Sequence, residues 1–257
     1  MTVTLTEVSI PTADGLLNGV LGVPVGTGPW PAAVMVHEVF GIDENMRAQI
    51  ERLTSAGYLV LMPDLFSRGG MRKCLNSTFR ALTEGKGQAF EDVEAAKQML
   101  VARPDCTGKI GVIGFCMGGG FALQLANKGF GASSVNYGMM PKDLDAALAG
   151  ACPIIGSYGG RDLSLRKAAP KMEAALTKAG IPHDVKEYPK ANHAFMNPGA
   201  AGPLVARPFL QKVVGFKPYP DEATDAWMRI EAFIAEGGNC ARCLVALAWL
   251  KDDFTRE

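Results

Sequence analysis

The sequence predicts a single α/β domain with a mostly parallel central sheet, helices on both faces of the sheet and an antiparallel hairpin at the N-terminus. The first observation behind this prediction is that short apolar runs rich in β-branched residues, such as 32–36 and 110–113, alternate with longer segments of helical spacing. The second is that no internal repeat or linker-like stretch divides the 257 residues. A chain of that length can bury a large core as one domain.

Composition narrows the possible partners and location. The chain carries 26 Lys and Arg and 26 Asp and Glu, so no overall field attracts nucleic acid or an anionic membrane. No apolar run approaches the roughly 20 residues that span a bilayer, and residues 1–7 lack the basic flank of a signal peptide. The six cysteines are scattered. We therefore expect a cytoplasmic protein that binds neither nucleic acid nor membranes, as a monomer or a small homo-oligomer.

The N-terminal third of the chain supplies the hairpin and the first parallel strands. Imperfect alternation over residues 2–10 predicts an edge strand, which a turn at 13–15 connects to a second strand at 17–23. The apolar run 32–36 is typical of a central strand that is covered on both faces. Asp43 or Asn45 can cap a helix that ends at Gly57, and 58–62 is the next buried strand. We expect the polar and basic residues 67–87, which show no clear period, to form a surface excursion near the pocket.

The remainder of the chain continues the alternation of strand and helix. Helical spacing over residues 90–101 leads to the buried strand 110–113, and small apolar residues at 121–126 have helical character. Further strands are predicted at 132–137, 153–158 and 185–188, and further helices at 144–148, 165–179 and 223–235. In such a sheet the reactive groups collect where the parallel strands end.

The sequence Gly-Phe-Cys-Met-Gly at 114–118 lies between a buried strand and a helix, which is the context of a nucleophile elbow. In an elbow the central residue projects above the sheet edge from a strained backbone, and its neighbours two residues away must be tiny. Gly114 and Gly118 meet that requirement around Cys116. The N–H groups that begin the helix can stabilise a charged sulfur or hold an oxyanion. The alternative interpretation is a glycine-rich turn around a small buried cysteine.

An acid and a histidine follow the elbow in the order typical of α/β-hydrolases. Asp162 and His193 each follow a predicted strand, so both are expected near Cys116 at one edge of the sheet. In the corresponding chemistry the thiolate attacks an acyl carbon, the histidine takes and returns the proton, and the aspartate fixes the imidazole tautomer. Taken alone, Asp162 also fits a helix cap. His37 is expected to make a structural hydrogen bond beside Glu38.

Five short motifs occur in a diagnostic order: H-E-V-F-G at 37–41, P-D-L-F at 63–66, G-F-C-M-G-G at 114–119, G-R-D at 160–162 and N-H-A-F at 192–195. In order and spacing they resemble the dienelactone hydrolase (carboxymethylenebutenolidase) family, whose first motif is Q/H-E-[IV]-F-G. The resemblance covers residues 8–233. It implies a single-domain α/β-hydrolase fold and a hydrolase of small esters or cyclic enol-lactones that uses no cofactor and no metal.

The resemblance also implies roles for residues around the three candidate catalytic groups. The backbone N–H groups of Met117 and Val39 would form an oxyanion hole. Glu38 would contact the resting Cys116 thiol and accept its proton when substrate binds. A carboxylate beside a thiol opposes thiolate formation until the carboxylate is displaced. Phe40, in the same motif, is expected to contact substrate.

One position departs from the family pattern. Members that act on dienelactone hold the substrate carboxylate with two arginines, one of them four residues beyond the catalytic histidine. That position is Asn197 here, and an amide cannot supply a bidentate charged fork. Arg72 and Arg80 are both candidates for the other arginine. We therefore expect only a modest preference for anionic substrates.

Residues 237–257 lie beyond the resemblance. They contain a C-x-x-C pair, Cys240 and Cys243, followed by the apolar run 244–250. Two thiols can serve redox chemistry or metal binding, but no second pair of ligands is evident in the sequence. We therefore expect an apolar tail helix that packs on the domain.

The sequence thus predicts a cofactor-free cysteine hydrolase of small esters, with cyclic enol-lactones favoured by the resemblance. A broad-specificity carboxylesterase or thioesterase is an alternative, because Asn197 weakens the case for an anionic substrate. A non-catalytic protein that binds small molecules in the same pocket belongs to another class. The joint presence of Cys116, Asp162 and His193 argues against it, and a redox role for the C-terminal cysteines is the weakest option.

Overall fold

The fold is built on one eight-stranded sheet, seen in a computed structural model that describes residues 3–200, 202 and 217–236. The strands are β1 (Thr4–Thr12), β2 (Gly15–Val23), β3 (Trp30–Val36), β4 (Leu59–Pro63), β5 (Cys106–Phe115), β6 (Ser133–Asn136), β7 (Ile154–Gly159) and β8 (His183–Tyr188). The α-helices are α1 (Glu44–Ser55), α2 (Met71–Glu84), α3 (Gln88–Val101), α4 (Met117–Leu125), α5 (Leu144–Leu148), α6 (Ala168–Ala179) and α7 (Pro220–Ala235). Strand and helix alternate from β3 onwards, as the sequence predicts.

The order of strands across the sheet is β1-β2-β4-β3-β5-β6-β7-β8. The pairs β1–β2 and β2–β4 are antiparallel, and every later pair is parallel. The predicted N-terminal hairpin and mostly parallel sheet are therefore confirmed. Because β3 pairs directly with β5, the segment after β3 meets the segment after β5 at the same edge.

Helices cover both faces of the sheet and bury a separate apolar cluster on each. Alternate residues of β3 divide between the two clusters, since Val34 faces one and Met35 the other. The first cluster contains Val34 and is covered by helices α2 to α6. The second cluster contains Met35 and is covered by helices α1 and α7. Within the described ranges, no helix has the length and apolar character needed to cross a membrane.

Residues 67–87 are predicted to form a surface excursion without a period. The prediction is wrong, because this segment contains the 14-residue helix α2. The buried residues of this helix are Thr78, Ala81 and Leu82, which recur at helical spacing. Two of those three side chains are small or polar, and basic residues surround them. Met71, Cys74, Leu75 and Phe79 extend the same face against the apolar core, so the helical period is present in the sequence and the prediction overlooked it.

Several boundaries also differ from their predictions. Helix α4 begins at Met117, directly after the elbow, because the three glycines at 118–120 are helical despite their low propensity. Helix α6 begins at Ala168 rather than at 165, since Lys167 has a left-handed backbone (φ 63°) that interrupts the helix. A short 3₁₀ turn, Leu163–Leu165, precedes it. Strand β8 begins at His183, two residues earlier than predicted.

Candidate active site

Cys116 lies at the junction of β5 and α4 in the backbone conformation that an elbow requires. Its φ of 54° and ψ of −114° are rare for a residue with a side chain. A Cβ on Gly114 would overlap the Gly118 backbone, and one on Gly118 would overlap the Val36 carbonyl. Both glycines are thus required by close approach of backbones, and the second approach brings the start of α4 against the end of β3.

Asn136, at the end of β6, holds the elbow from both sides. Its carbonyl accepts a hydrogen bond from the Cys116 N–H at 3.0 Å. Its side-chain Nδ2 donates to the Gly114 carbonyl at 3.2 Å. Asn136 is not among the site residues predicted from the sequence. The available signal was a polar residue at the end of a buried strand that neighbours the elbow strand.

The structure brings the three candidate catalytic side chains into one hydrogen-bonded chain. His193 Nε2 lies 3.0 Å from Cys116 Sγ, and His193 Nδ1 lies 2.5 Å from Asp162 Oδ2. An ionised carboxylate only accepts hydrogen bonds, so Nδ1 donates and Nε2 faces the sulfur. This is the geometry in which an imidazole exchanges a proton with a nucleophile. All three residues thus stand where the sequence analysis places them.

The pKa values of the acid and the base move in opposite directions. Burial raises the pKa of Asp162, but hydrogen bonds from His193 and Ser164 outweigh it and hold that pKa below its usual value. Ser164 donates to Asp162 Oδ1 from its backbone N–H and from its hydroxyl. Burial lowers the pKa of His193, but the Cys116 sulfur and the Asp162 carboxylate outweigh it and raise that pKa well above 6.5. The arrangement therefore stabilises an imidazolium beside a carboxylate.

Glu38 occupies a buried position next to this chain but does not make the expected contact with the thiol. Its Oε2 accepts a hydrogen bond from Asn197 Nδ2 at 2.9 Å, and both residues are almost fully buried. Among the described residues, Cys116 Sγ hydrogen-bonds to His193 and Glu38 to Asn197. The expected resting hydrogen bond between Glu38 and the Cys116 thiol is not formed. Burial raises the pKa of Glu38 to about 7, although the Asn197 hydrogen bond opposes the shift.

Tyr137 packs beside these groups. The sequence predicts it only as a strand residue, without a role in the site. Its φ of 40° is unusual for an aromatic residue. Its ring packs edge-on against His193, with 5.3 Å between centroids. Its hydroxyl is near enough to lower the pKa of Glu38, yet within the described residues it has no hydrogen bond of good geometry. The same is true of Glu38 Oε1 and Asn197 Oδ1.

The two backbone N–H groups predicted to form an oxyanion hole lie in segments that meet at the elbow. In the part of the chain that the structure describes, neither Met117 nor Val39 donates its N–H to a backbone carbonyl. Met117 is the first residue of α4, where the helix supplies no acceptor. Val39 follows β3, and the packing of Gly118 against Val36 keeps the two segments together. The predicted oxyanion hole therefore has both of its donors unused.

The other predicted site residues are less closely connected to this centre. Arg80 donates to Glu84 on the exposed face of α2, and Arg72 on the same helix is also exposed. Among the described residues neither arginine hydrogen-bonds to the catalytic chain. Phe40 is half-buried and packs against the second apolar cluster. The predicted tail helix, with Cys240 and Cys243, lies outside the described residues.

The described residues offer no group of three or more His, Cys, Asp or Glu side chains arranged to hold a metal ion. Their four cysteines, Cys74, Cys106, Cys116 and Cys152, are free thiols. The contacts of Cys116 with His193 and of His193 with Asp162 place a nucleophile, a base and an acid side by side.

Comparison with known proteins shows the family of this chain. The model of the dienelactone hydrolase family matches residues 17–237. A carboxymethylenebutenolidase of Pseudomonas putida is 29% identical over 210 residues, which cover 77% of this chain and 89% of that protein.

Solved structures share the fold. A dienelactone hydrolase from Anabaena variabilis has a TM-score of 0.62 and 23% identity, over 84% of this chain and 97% of its own. A dienelactone hydrolase-like promiscuous phosphotriesterase from metagenomic libraries has a TM-score of 0.77 and 18% identity, over 92% of this chain and 99% of its own. At these identities the structural likeness establishes a common α/β-hydrolase architecture.

Proposed function

The chain belongs to the dienelactone hydrolase family of ester and lactone hydrolases, and we propose that it cleaves small carboxylic esters or cyclic enol-lactones through a thioester on Cys116. The observation that carries the proposal is the continuous contact from Cys116 Sγ through His193 to Asp162, at 3.0 and 2.5 Å. Such a chain supplies a nucleophile, a base and an orienting acid without a cofactor.

In the acylation step the Cys116 sulfur, its proton held by His193, attacks the carbonyl carbon of the ester. The carbonyl oxygen becomes an oxyanion that accepts hydrogen bonds from the N–H groups of Met117 and Val39. The C–O bond then breaks, and the His193 imidazolium protonates the departing alcohol or enol oxygen. For a lactone both products stay on one molecule, which remains attached as the thioester.

In the deacylation step His193 accepts a proton from water while the water oxygen attacks the thioester carbon. The same N–H groups stabilise the second oxyanion. The C–S bond breaks, and the sulfur leaves as a thiolate that returns to its ion pair with the imidazolium. Asp162 keeps one tautomer of His193 in place through both steps.

Glu38 assists this cycle as a buried carboxyl whose charge changes near neutral pH. When ionised it favours the positive charge on His193, an interaction that also lowers the pKa of Glu38 itself. Displacement of Asn197 Nδ2 by a polar group of the substrate would take a hydrogen-bond donor from the carboxylate and strengthen its effect on the imidazolium. Substrate binding and nucleophile activation are then coupled at one side chain.

A broad carboxylesterase or thioesterase is the second candidate function, and a specific observation favours it. The amide of Asn197 is already engaged with Glu38, and the Arg80 guanidinium is paired with Glu84. Neither side chain provides a preformed charged clamp for a substrate carboxylate. We therefore propose that neutral acyl groups are accepted as well as anionic ones, in a monomer or small homo-oligomer in a reducing, cytoplasmic compartment.

A substrate screen tests the proposal directly. Purified protein is assayed with p-nitrophenyl esters of increasing acyl length, with acyl thioesters and with dienelactone. Turnover of dienelactone far above the other compounds would support the lactone specialist, and comparable turnover of all three classes would support the broad esterase. Turnover of none of them would favour a non-catalytic binding protein.

A further inference from the structure

His37 is fully buried beside the oxyanion hole and is used at both ring nitrogens. Its Nδ1 lies 2.7 Å from the carbonyl oxygen of Glu38. The backbone N–H of Leu65, in the turn after β4, donates to its Nε2 at 3.1 Å. The ring also packs edge-on against Phe66, with 4.9 Å between centroids. The imidazole thus joins the segment after β3 to the segment after β4.

These two contacts determine the tautomer of His37. A backbone N–H can only donate, so Nε2 must accept the hydrogen bond from Leu65 and Nδ1 must carry the ring proton. Nδ1–H therefore donates to the Glu38 carbonyl. Burial lowers the pKa of His37 and keeps the ring neutral, although Asp64 and Asp43 both act in the opposite direction.

The Glu38 carbonyl is fixed from a second direction as well. The backbone N–H of Gly41 donates to the same oxygen at 3.1 Å. With two donors on one carbonyl, the peptide between Glu38 and Val39 cannot rotate without breaking both hydrogen bonds. In a planar trans peptide the C=O and the following N–H point in opposite directions. The Val39 N–H therefore points away from His37, and it has no backbone acceptor in the described part of the chain.

We propose that His37 is a positioning residue for the oxyanion hole: by donating from Nδ1 to the Glu38 carbonyl, it keeps the Val39 N–H directed at the substrate oxygen. This inference rests on the proposed esterase function, since an oxyanion forms only in acyl transfer. Without the ring the peptide could flip, and the Glu38 carbonyl would then face the developing negative charge in place of a donor.

A glutamine in place of His37 should preserve both hydrogen bonds. A neutral imidazole and a carboxamide each offer one donor and one acceptor at similar reach. Glutamine can donate from its amide nitrogen to the Glu38 carbonyl and accept from the Leu65 N–H with its oxygen. An apolar side chain of similar length can do neither. The donor and acceptor pair, rather than the ring or its charge, is what the position requires.

The test compares wild type, His37→Gln and His37→Met in two reactions of the same sulfur. Hydrolysis of p-nitrophenyl acetate forms an oxyanion, whereas alkylation of Cys116 by iodoacetamide does not. Alkylation is followed at the Cys116 peptide by mass spectrometry, because other free thiols also react. Loss of one oxyanion-hole donor costs about 10²–10³-fold in kcat. We expect a loss of that order for His37→Met with KM and the alkylation rate unchanged, and near wild-type kcat for His37→Gln.

The outcomes separate the possible roles. Parallel loss of kcat and of the alkylation rate in His37→Met would show a general structural role and overturn the proposal, as would wild-type kcat in that variant. If His37→Met does not fold, the ¹⁵N shifts of His37 in the wild-type enzyme decide instead: a proton on Nδ1 supports the proposal, and one on Nε2 overturns it. Absence of turnover by the wild type would overturn the proposed function, and this inference with it.

Discussion

Two groups of residues near Cys116 are built in opposite ways. The triad side is His193, Asp162 and Ser164, and the Glu38 side is Glu38, Asn197 and Tyr137. On the triad side both carboxylate oxygens of Asp162 are engaged, one by the imidazole and one by Ser164. Charged partners therefore hold the geometry of the base.

On the Glu38 side a carboxyl group has one neutral donor, from Asn197. Three buried oxygen atoms there, one each in Glu38, Asn197 and Tyr137, have no hydrogen-bond partner among the described residues. The two sides therefore differ in the charge of their partners: a carboxylate holds the imidazole on the triad side, whereas a neutral amide holds the carboxyl on the Glu38 side.

Removal of the Cys116 sulfur should lower kcat more than any other substitution. Cys116→Ala should lower kcat for p-nitrophenyl acetate by more than about 10⁴-fold while the fold is retained, because no covalent bond can form. Cys116→Ser should also be poor, since an alcohol needs a stronger base than a thiol. The matched control is Cys152→Ala, because Cys152 is a free thiol whose pKa burial raises to about 12. Near-normal turnover by Cys116→Ala would remove this residue from the mechanism.

A smaller effect should follow when the triad side loses its charge but keeps its shape. Asp162→Asn should lower kcat by less than the roughly 10⁴-fold seen in serine triads, because a thiol depends less on the orienting carboxylate. His193→Ala should be more severe, since it removes the base itself. The control is Asp145→Asn, an exposed acid paired with Lys178. If kcat were unchanged in Asp162→Asn, another acid would have to orient the histidine.

The raised pKa of Glu38 should make the free energy of unfolding depend on pH. Burial raises the pKa of Glu38 from 4.5 to about 7, so between these values the folded protein keeps a proton that the unfolded chain has lost. The contribution of Glu38 to the free energy of unfolding should therefore fall by about 3 kcal/mol as pH rises through this window, and stay level above it.

Denaturant unfolding of wild type and Glu38→Gln, across this range of pH, isolates that contribution as the difference between two curves. The variant cannot titrate, so its stability should not show the fall. Asp162 has the opposite sign, because its lowered pKa gives stability above the unfolded value that is lost on acidification. A difference between the two proteins that does not change with pH would contradict the raised pKa of Glu38.

The smallest effect on kcat/KM is expected from Asn197→Arg, which adds a positive charge to the Glu38 side. Hydrogen bonds to charged groups contribute about 1.5–3 kcal/mol and neutral ones about 0.5–1.5, and about 1.4 kcal/mol is a factor of ten. The wild type should therefore prefer an anionic lactone to its neutral methyl ester by no more than about tenfold in kcat/KM. Asn197→Arg should raise kcat/KM for the acid more than for the ester.

Asn76→Arg is the control for that substitution, because it adds the same charge at an exposed position of α2. It should leave the ratio of the two kcat/KM values unchanged. A wild-type preference for the acid far above about tenfold would show that another cation, Arg72 or Arg80, holds the substrate carboxylate.

Local patterns in the sequence were sufficient to predict the strands of the sheet. They were also sufficient to place Cys116, Asp162 and His193 after those strands. Runs of β-branched residues identify the parallel strands, and the glycines at 114 and 118 mark a close approach of backbones. Cys116, Asp162 and His193 each follow a strand, so the topology alone brings them to one edge. Their catalytic roles stay predictions until turnover is measured.

Contacts between distant segments could not be predicted in the same way. The hydrogen bond from Asn197 to Glu38 joins residues that are 159 positions apart, and no local pattern distinguishes it from a contact between Glu38 and the thiol. Tyr137 carries no signal in the sequence, because a tyrosine at the end of a buried strand usually packs in the core. Helix α2, in contrast, was predictable, because Met71, Cys74, Leu75, Phe79 and Leu82 recur at helical spacing among its basic residues.

The position of the nucleophile before its base along the chain has a consequence for biosynthesis. Cys116 follows β5, whereas His193 follows β8, the last strand at the far edge of the sheet. A nascent chain that has emerged only as far as β7 already contains the thiol but lacks the imidazole that would activate it. Under the proposed mechanism, the growing polypeptide therefore carries no activated nucleophile until β8 and the segment after it have been synthesised.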